Sequence, residues 1–281
     1  MPELPEVETV RRGIEPAIRG KRILSAEVLP DPKGIRTLRR VKSTPVFRKR
    51  LANRIIKKVD RRGKYLLLYL DRDEILIIHL GMSGRLLIRK PSDPPDPHTR
   101  MIFHLEKKLE LRFADPRKFG EVYLFSPSRG ETTVNPLNLG PEPFAPEITA
   151  AWLLSRLAKS SRAIKAALLD QNLIAGIGNI YSDEILHASR VRPDRQASSI
   201  TRVEADRIVR NTRRILKLAI SKRGTTAGDG VYRDSRNQPG SFQNHLRVYA
   251  REGEGCYNCR GKIASRPIGS RTAHFCPECQ K

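Results

Sequence analysis

Tyr65-Leu-Leu-Leu-Tyr-Leu70, Asp71-Arg-Asp-Glu74, Ile75-Leu-Ile-Ile-His-Leu80 and Gly81-Met-Ser-Gly84 follow one another without interruption. Each apolar run is too short for a stable helix, and a charged turn divides them, so they read as two strands joined by a tight connection. Working outward, further short β-rich segments are expected at Arg85–Ile88, Met101–Leu105, Leu109–Phe113 and Glu121–Phe125, separated by turn residues such as those of Pro91–Pro97. Short strands at this spacing predict a β-sandwich or barrel. Before them, Glu3–Arg19 reads as a helix, with Pro5 in its first turn and Val7, Val10, Ile14 and Ile18 at helical spacing.

Beyond the strands, Ser126–Pro146 carries proline and glycine and reads as a linker. Helical periodicity then returns in Glu147–Leu157, Arg162–Leu169, Asn179–Ser189 and Arg202–Arg223. Gly224–Gly240 is a polar loop too long for a simple connection, and loops of that length are usually functional or disordered. His245–Tyr249 reads as a strand leading into a cysteine-bearing end. No internal repeat is visible. The expected organisation is an α+β multidomain chain: an N-terminal β domain over 1–130, a linker over 131–146, a helical domain with its long loop over 147–240, and a terminal module over 241–281.

The 281 residues include 54 Lys and Arg against 30 Asp and Glu, a formal charge of +24. Such a surface attracts polyanions, with an affinity that falls steeply with salt as counterions are released. The plain alternative is a merely soluble basic surface. No long apolar run suggests a membrane span, and the opening Met1-Pro-Glu-Leu-Pro-Glu6 has acids where a secretion signal has bases. The expected location is the cytosol, at the nucleoid within it, rather than outside the cell.

All four cysteines lie near the end, as Cys256-x-x-Cys259 and Cys276-x-x-Cys279, with 16 residues between the pairs. This spacing matches tetrahedral thiolate binding of one zinc ion. Four sulfur ligands leave no open position, so the zinc would be structural; free thiols or a redox pair are the alternative.

The N-terminus offers a nucleophile. With Met1 removed, Pro2 presents a secondary α-amine, which is partly unprotonated near neutral pH. It can attack C1′ of a deoxyribose and form an iminium, an electron sink that acidifies C2′. Glu3 beside it can act as general acid. Taken alone, Pro2-Glu3 is better read as a helix start.

Arg48–Lys64 holds nine basic residues and one acid, the pattern of a solvated face. Lys64 stands apart because it immediately precedes the strand at Tyr65. His79-Leu-Gly-Met-Ser-Gly84 and Asp115-Pro-Arg-Lys-Phe-Gly120 are glycine-bearing turns presenting Met82, Arg117 and Phe119. An exposed Met and Phe beside an Arg suit a wedge into a base stack, with ordinary core packing as the alternative. Gly176-Ile-Gly-Asn179 lies between two helices with no preceding strand; it reads as a tight turn whose amides and Asn179 can bind phosphate at a helix N-terminus.

Together, Met1-Pro-Glu-Leu-Pro-Glu-Val-Glu-Thr9, Arg62-Gly-Lys-Tyr-Leu66, the turns at 79–84 and 115–120, Gly176-Ile-Gly-Asn-Ile-Tyr181 and the four cysteines resemble one family over nearly the whole chain. That family is formamidopyrimidine-DNA glycosylase, with its relative endonuclease VIII. The resemblance implies an N-terminal β-sandwich flanked by helices, a helix–two-turns–helix domain and a C-terminal zinc finger. Duplex DNA containing a damaged base would lie in a cleft, bent, with the damaged nucleotide flipped out.

It further implies Pro2 as Schiff-base nucleophile, Glu3 as proton donor in base release, Lys64 as phosphate contact and donor in β-elimination, and Arg271 as the assistant of δ-elimination. Met82, Arg117 and Phe119 would fill the hole left by the flipped base, with Arg117 facing the orphaned cytosine. His79, His98, Lys165, Asn179 and Tyr249 match DNA-contacting positions, and Gly224–Ser241 matches a loop that closes over oxidised guanine. Lys118 departs from the arginine often found there, and Ser160 replaces a lysine of some relatives. The implied protein is a monomeric bifunctional glycosylase and abasic-site lyase for oxidised purines. An endonuclease VIII-like enzyme for oxidised pyrimidines and a non-catalytic zinc-finger DNA-binding protein are the competing readings.

Overall fold

Helix α1 (Leu4–Ile18) begins at Glu3, where Glu3 and Glu6 form a capping box and Pro5 occupies the first turn. Its Val7, Val10, Ile14 and Ile18 are fully buried, as their spacing requires. The computed structural model describes residues 1–30, 43–127, 139–228 and 230–281. The chain divides into two compact units, Met1–Asn135 with Lys222–Ser241, and Pro136–Ser221 with Phe242–Lys281.

In the first unit, α1 is followed by β1 (Arg22–Val28), α2 (Thr44–Leu51), β2 (Arg54–Arg62), β3 (Tyr65–Leu70), β4 (Ile75–His79), β5 (Arg85–Arg89), β6 (Thr99–Leu105), β7 (Leu109–Ala114) and β8 (Glu121–Phe125). The strands run antiparallel in the order β5-β7-β6-β1-β2-β3-β4-β8. β1 and β2 pair only through Arg22↔Ile55 and Ile23↔Arg54. The order thus falls into two four-stranded halves. Met101, Phe103 and Phe113 of one half share a single core with Leu66, Leu76, Ile78 and Val122 of the other, as in a sandwich.

The six expected strands are present, within a residue or two at their ends. Three elements were not expected. β1 and β2 were hidden because each carries a register shift, between Ile23 and Ser25 and between Ile56 and Lys58. The shift places buried residues three apart, Ile23 with Ala26 and Ile56 with Val59, and erases the alternation by which a strand is recognised. The basic run also conceals α2, whose Phe47 and Leu51 are its buried pair.

In the second unit, α3 (Ala150–Leu157), α4 (Ile164–Leu169), α5 (Asn179–Ser189) and α6 (Arg202–Ser221) surround a core that includes Leu153, Leu168, Tyr181, Ile208 and Leu216. The expected helices are all found, α3 starting later because Thr149 accepts the Trp152 N–H as its cap, 3.1 Å. A two-stranded hairpin, β9 (Ala264–Ile268) and β10 (Arg271–Phe275), closes the chain.

One expectation is corrected. His245–Tyr249 is not a strand: Phe242–His245 is a 3₁₀ turn, and the N–H groups of Arg247, Val248 and Tyr249 all donate to the Glu184 carboxylate at 2.9–3.0 Å, so a side chain replaces the ladder partner. By contacts, Lys222–Ser241, expected with the helices, falls in the β-rich unit, and the cysteine-bearing module falls with the helices. Residues 131–138 of the expected linker lie outside the described residues.

Candidate functional site

Pro2 and Glu3 are both buried at the start of α1. The Glu3 N–H donates to Glu6 Oε2 at 2.8 Å, and Glu6 Oε1 accepts the Thr225 N–H at 2.7 Å. One buried carboxylate therefore fixes the backbone beside Pro2 and the first turn of the long loop. Gly224 is constrained by the same group, since a Cβ there would lie 2.7 Å from Glu6 Oε1. Tyr232 adds a second tie: its hydroxyl donates to the Arg223 carbonyl at 3.1 Å, and burial holds its pKa well above the ordinary value.

The loop is ordered further along. Arg85 Nε donates to the Val231 carbonyl at 3.0 Å, and the Ile88 N–H to the Ser235 carbonyl at 3.2 Å. Asp234 accepts the N–H groups of Arg236 and Gln238 and pairs with Arg223. Of the two possibilities left by its length, functional or disordered, the described part is a built surface.

Lys64 is buried in the turn between β2 and β3, whose ends pair as Arg62↔Tyr65. Gly63 takes the left-handed conformation (φ +54°) that this two-residue turn needs. Arg61, three residues earlier, donates to Glu8 Oε2 at 3.3 Å and to the Gly63 carbonyl at 3.0 Å, which sets the Lys64 turn against the first turns of α1. Burial would raise the Glu8 pKa, but hydrogen bonds from Arg11 and Arg12 and the Arg61 charge hold it down, at about 2.

Two turns carry the residues expected to form a wedge. His79, at the end of β4, stacks on Tyr65 with centroids 4.6 Å apart and accepts the Gly81 N–H at Nδ1, 3.2 Å, which leaves its ring proton on Nε2. Met82 at the tip is half-buried, Phe119 is 39 % exposed, and the exposed Arg117 guanidinium lies 5.5 Å from the Phe119 centroid. For Phe119 the core alternative is excluded. His98 is exposed at φ +61°, and its carbonyl accepts the Asp115 N–H at 3.0 Å.

In the helical unit, Gly176 (φ +94°) and Gly178 lead into α5, which starts at Asn179. Gln171, which no motif singles out, laces this turn: its Nε2 donates to the carbonyls of Leu169 and Ile177 at 2.8 Å, and its Oε1 accepts the Gly176 N–H at 2.9 Å. Asn179 Oδ1 is buried without a hydrogen-bond partner among the described residues. A buried acceptor left in this state at a helix start is suited to a ligand that brings a donor or a bridging water.

Lys165 is corrected. It is fully buried, its Nζ donating to Asp183 Oδ1 at 2.6 Å and to the Thr272 carbonyl at 2.7 Å. Asp183 Oδ2 in turn accepts the His274 N–H at 3.0 Å. A lysine with no exposed surface cannot touch phosphate; it binds α4 and α5 to the β10 strand. Tyr249, half-buried, packs edge-on against His274 at 5.2 Å. Arg271 is exposed where β10 begins, after a turn with Gly269 at φ +57°.

The cysteine sulfurs all lie within 4.8 Å of one another, with Cys256 and Cys279 at 3.8 Å and Cys259 and Cys276 at 3.5 Å. Zn–S bonds of about 2.3 Å in a tetrahedron place sulfurs at about 3.8 Å, so the four fit zinc. The Asn258 N–H donates to Cys256 Sγ and the Cys279 N–H to Cys276 Sγ, both at 3.4 Å, as expected of thiolate acceptors. His187 of α5 reaches Cys256 Sγ through Nε2 at 3.6 Å; burial, then the Arg247 and Arg251 charges, hold its pKa down at about 4. When bound, zinc would crosslink the two knuckles into a closed structural site.

Residues 1–122 match the model described as the formamidopyrimidine-DNA glycosylase N-terminal domain, and residues 139–229 match the formamidopyrimidine-DNA glycosylase H2TH domain. The chain belongs to the formamidopyrimidine-DNA glycosylase family. The formamidopyrimidine-DNA glycosylase of Pelotomaculum thermopropionicum is 42 % identical over 281 residues, covering 100 % of this chain and 99 % of that protein. Among solved structures, a point mutant of the Lactococcus lactis family member in complex with Fapy-dG-containing DNA aligns with a TM-score of 0.89 at 32 % identity over 100 % of both chains. The wild-type L. lactis protein with DNA containing an oxidised pyrimidine aligns at 0.88, also at 32 % identity and full coverage. Membership of the family accounts for the pairing of a β-sandwich with an H2TH domain and a four-cysteine end.

Proposed function

We propose that this chain is a bifunctional DNA glycosylase and abasic-site lyase of base-excision repair, acting on oxidised or ring-opened purines such as 8-oxoguanine and formamidopyrimidine-guanine in duplex DNA. The observation that carries this reading is the buried Pro2–Glu3 pair, held through Glu6 to the Thr225 end of the long loop. With Met1 removed, the Pro2 nitrogen attacks C1′, the damaged base departs with the amine proton, and Glu3 protonates the sugar ring oxygen as it leaves C1′. The resulting iminium acidifies C2′; loss of that proton expels the 3′ phosphate, and a further elimination expels the 5′ phosphate. Lys64 serves as phosphate contact and proton donor in the first elimination, and Arg271 assists the second.

DNA contacts are assigned to His79, His98, Asn179 and Tyr249, and the filling of the vacated stack to Met82, Arg117 and Phe119. All these groups come from one chain, which supports action as a monomer. Among the described residues no helix is long and apolar enough to cross a membrane, and the +24 charge favours the nucleoid of the cytosol. A second reading, an enzyme for oxidised pyrimidines, draws support from the DNA held by the L. lactis relative. The complete wedge and the built loop favour purines.

Borohydride reduction in the presence of an abasic or 8-oxoguanine:cytosine duplex tests the chemistry. The wild-type chain should yield a covalent adduct whose intact mass lacks Met1. Pro2→Gly should trap far less while still binding duplex; undiminished trapping in that variant refutes the nucleophile, and a chain that forms no adduct is a binding protein only.

A further inference from the structure

Asp115 is 1 % exposed and lies between the two turns that carry the wedge. Its Oδ1 accepts the Ser83 hydroxyl at 2.6 Å and its Oδ2 the Gly120 N–H at 2.7 Å. Ser83 Oγ in turn accepts the Arg117 N–H at 3.1 Å. The backbone of Asp115 is fixed on both sides, its N–H donating to the His98 carbonyl at 3.0 Å and its carbonyl accepting Arg100 Nε at 3.1 Å. Backbones also meet directly: a Cβ on Gly81 (φ +63°) would lie 2.5 Å from the Phe119 carbonyl carbon, and one on Gly120 would lie 2.3 Å from the Phe113 ring. The Met82 turn and the Arg117–Phe119 turn thus share one buried carboxylate, although 32 residues separate Ser83 from Asp115.

We propose that Asp115 and Ser83 form a latch that holds the two turns in a single register and thereby sets discrimination of the base opposite the lesion. The inference rests on the reading of Met82, Arg117 and Phe119 as the wedge. Both latch residues are buried, so they act through the turns they hold and are positioning residues. Arg117 projects into solvent from a turn in which its own main-chain N–H donates to Ser83 Oγ, and readout of a base edge needs a guanidinium placed to within fractions of an ångström. Cutting the Ser83–Asp115 bond removes the side-chain tie between the turns and leaves their register to the packing of Gly81 on Phe119, while Pro2, Glu3 and Lys64 lie on other elements.

The test is single-turnover excision of 8-oxoguanine opposite cytosine and opposite adenine by the full-length Ser83→Ala, Asp115→Asn, double and Arg117→Ala variants, with thermal melts alongside. Ser83→Ala removes one oxygen and so keeps the test alive if Asp115→Asn fails to fold. General loosening would slow both duplexes together; the latch predicts that the cytosine-to-adenine rate ratio falls about tenfold, within the range of one base-edge contact. The double variant should fall no further than Ser83→Ala alone, which already removes both the donor to Asp115 Oδ1 and the acceptor of the Arg117 N–H. An unchanged ratio in the latch variants, or multiplicative losses in the double, overturns the latch while a reduced ratio in Arg117→Ala preserves the wedge. An unchanged ratio in Arg117→Ala overturns the wedge and the latch with it.

Discussion

Lys165→Met separates a structural lysine from a DNA-contacting one. Lys165 and Asp183 have no exposed side-chain surface, and methionine fills the lysine stem's volume without its charge. The substitution takes from Asp183 Oδ1 its 2.6 Å donor and from the Thr272 carbonyl its 2.7 Å donor, leaving Asp183 with His274 as its partner among the described residues. Breaking one side of a buried pair costs about 3–5 kcal/mol. For a chain of this size that is a fall in melting temperature of about 10 °C. Lys165→Met/Asp183→Asn should recover part of the loss, since the orphaned charge is gone. The decisive assay is salt dependence: each phosphate contact contributes about −0.9 to the slope of log K against log salt. The slope for Lys165→Met should equal that of wild type at a temperature where both are folded. A slope shallower by about one unit with an unchanged melting temperature would mean that Lys165 reaches phosphate and that the buried clamp is wrongly read.

Two further outcomes are expected. Cys256→Ser should lose zinc, measured by metal analysis of the purified protein, and weaken duplex binding; full metal content and wild-type affinity would exclude the finger. Glu8, at about 2 when folded against 4.5 for the free side chain, binds fewer protons folded than unfolded between those values. Its stabilisation, about 3 kcal/mol, is therefore complete above about pH 4.5 and lost as pH falls toward 2. Melts across that window should show Glu8→Gln less stable than wild type at neutral pH, with the gap closing in acid; a gap independent of pH removes Glu8 as the source.

The four-cysteine cluster, the helix start at Pro2-Glu3, the two glycine-bearing turns at 79–84 and 115–120 and the Gly176–Asn179 turn were legible because each depends on residue type at a short, fixed spacing. So were α1 and the strands with regular alternation. Even β6 was found only from Met101 onward, after its own register shift between Thr99 and Met101. β1 and β2 were not legible, for bulges displace the period that local reading relies on.

Contacts of long sequence separation were invisible in the same way. Nothing near Glu6 announces Thr225, nothing near Ser83 announces Asp115, and nothing near Lys165 announces Thr272. The sequence by itself determined which chemical groups the protein possesses, because those follow from composition and local order. Only the tertiary structure decided which of them face solvent and which are buried as fasteners. Whether a charge meets water or a buried partner depends on what the rest of the chain packs against it.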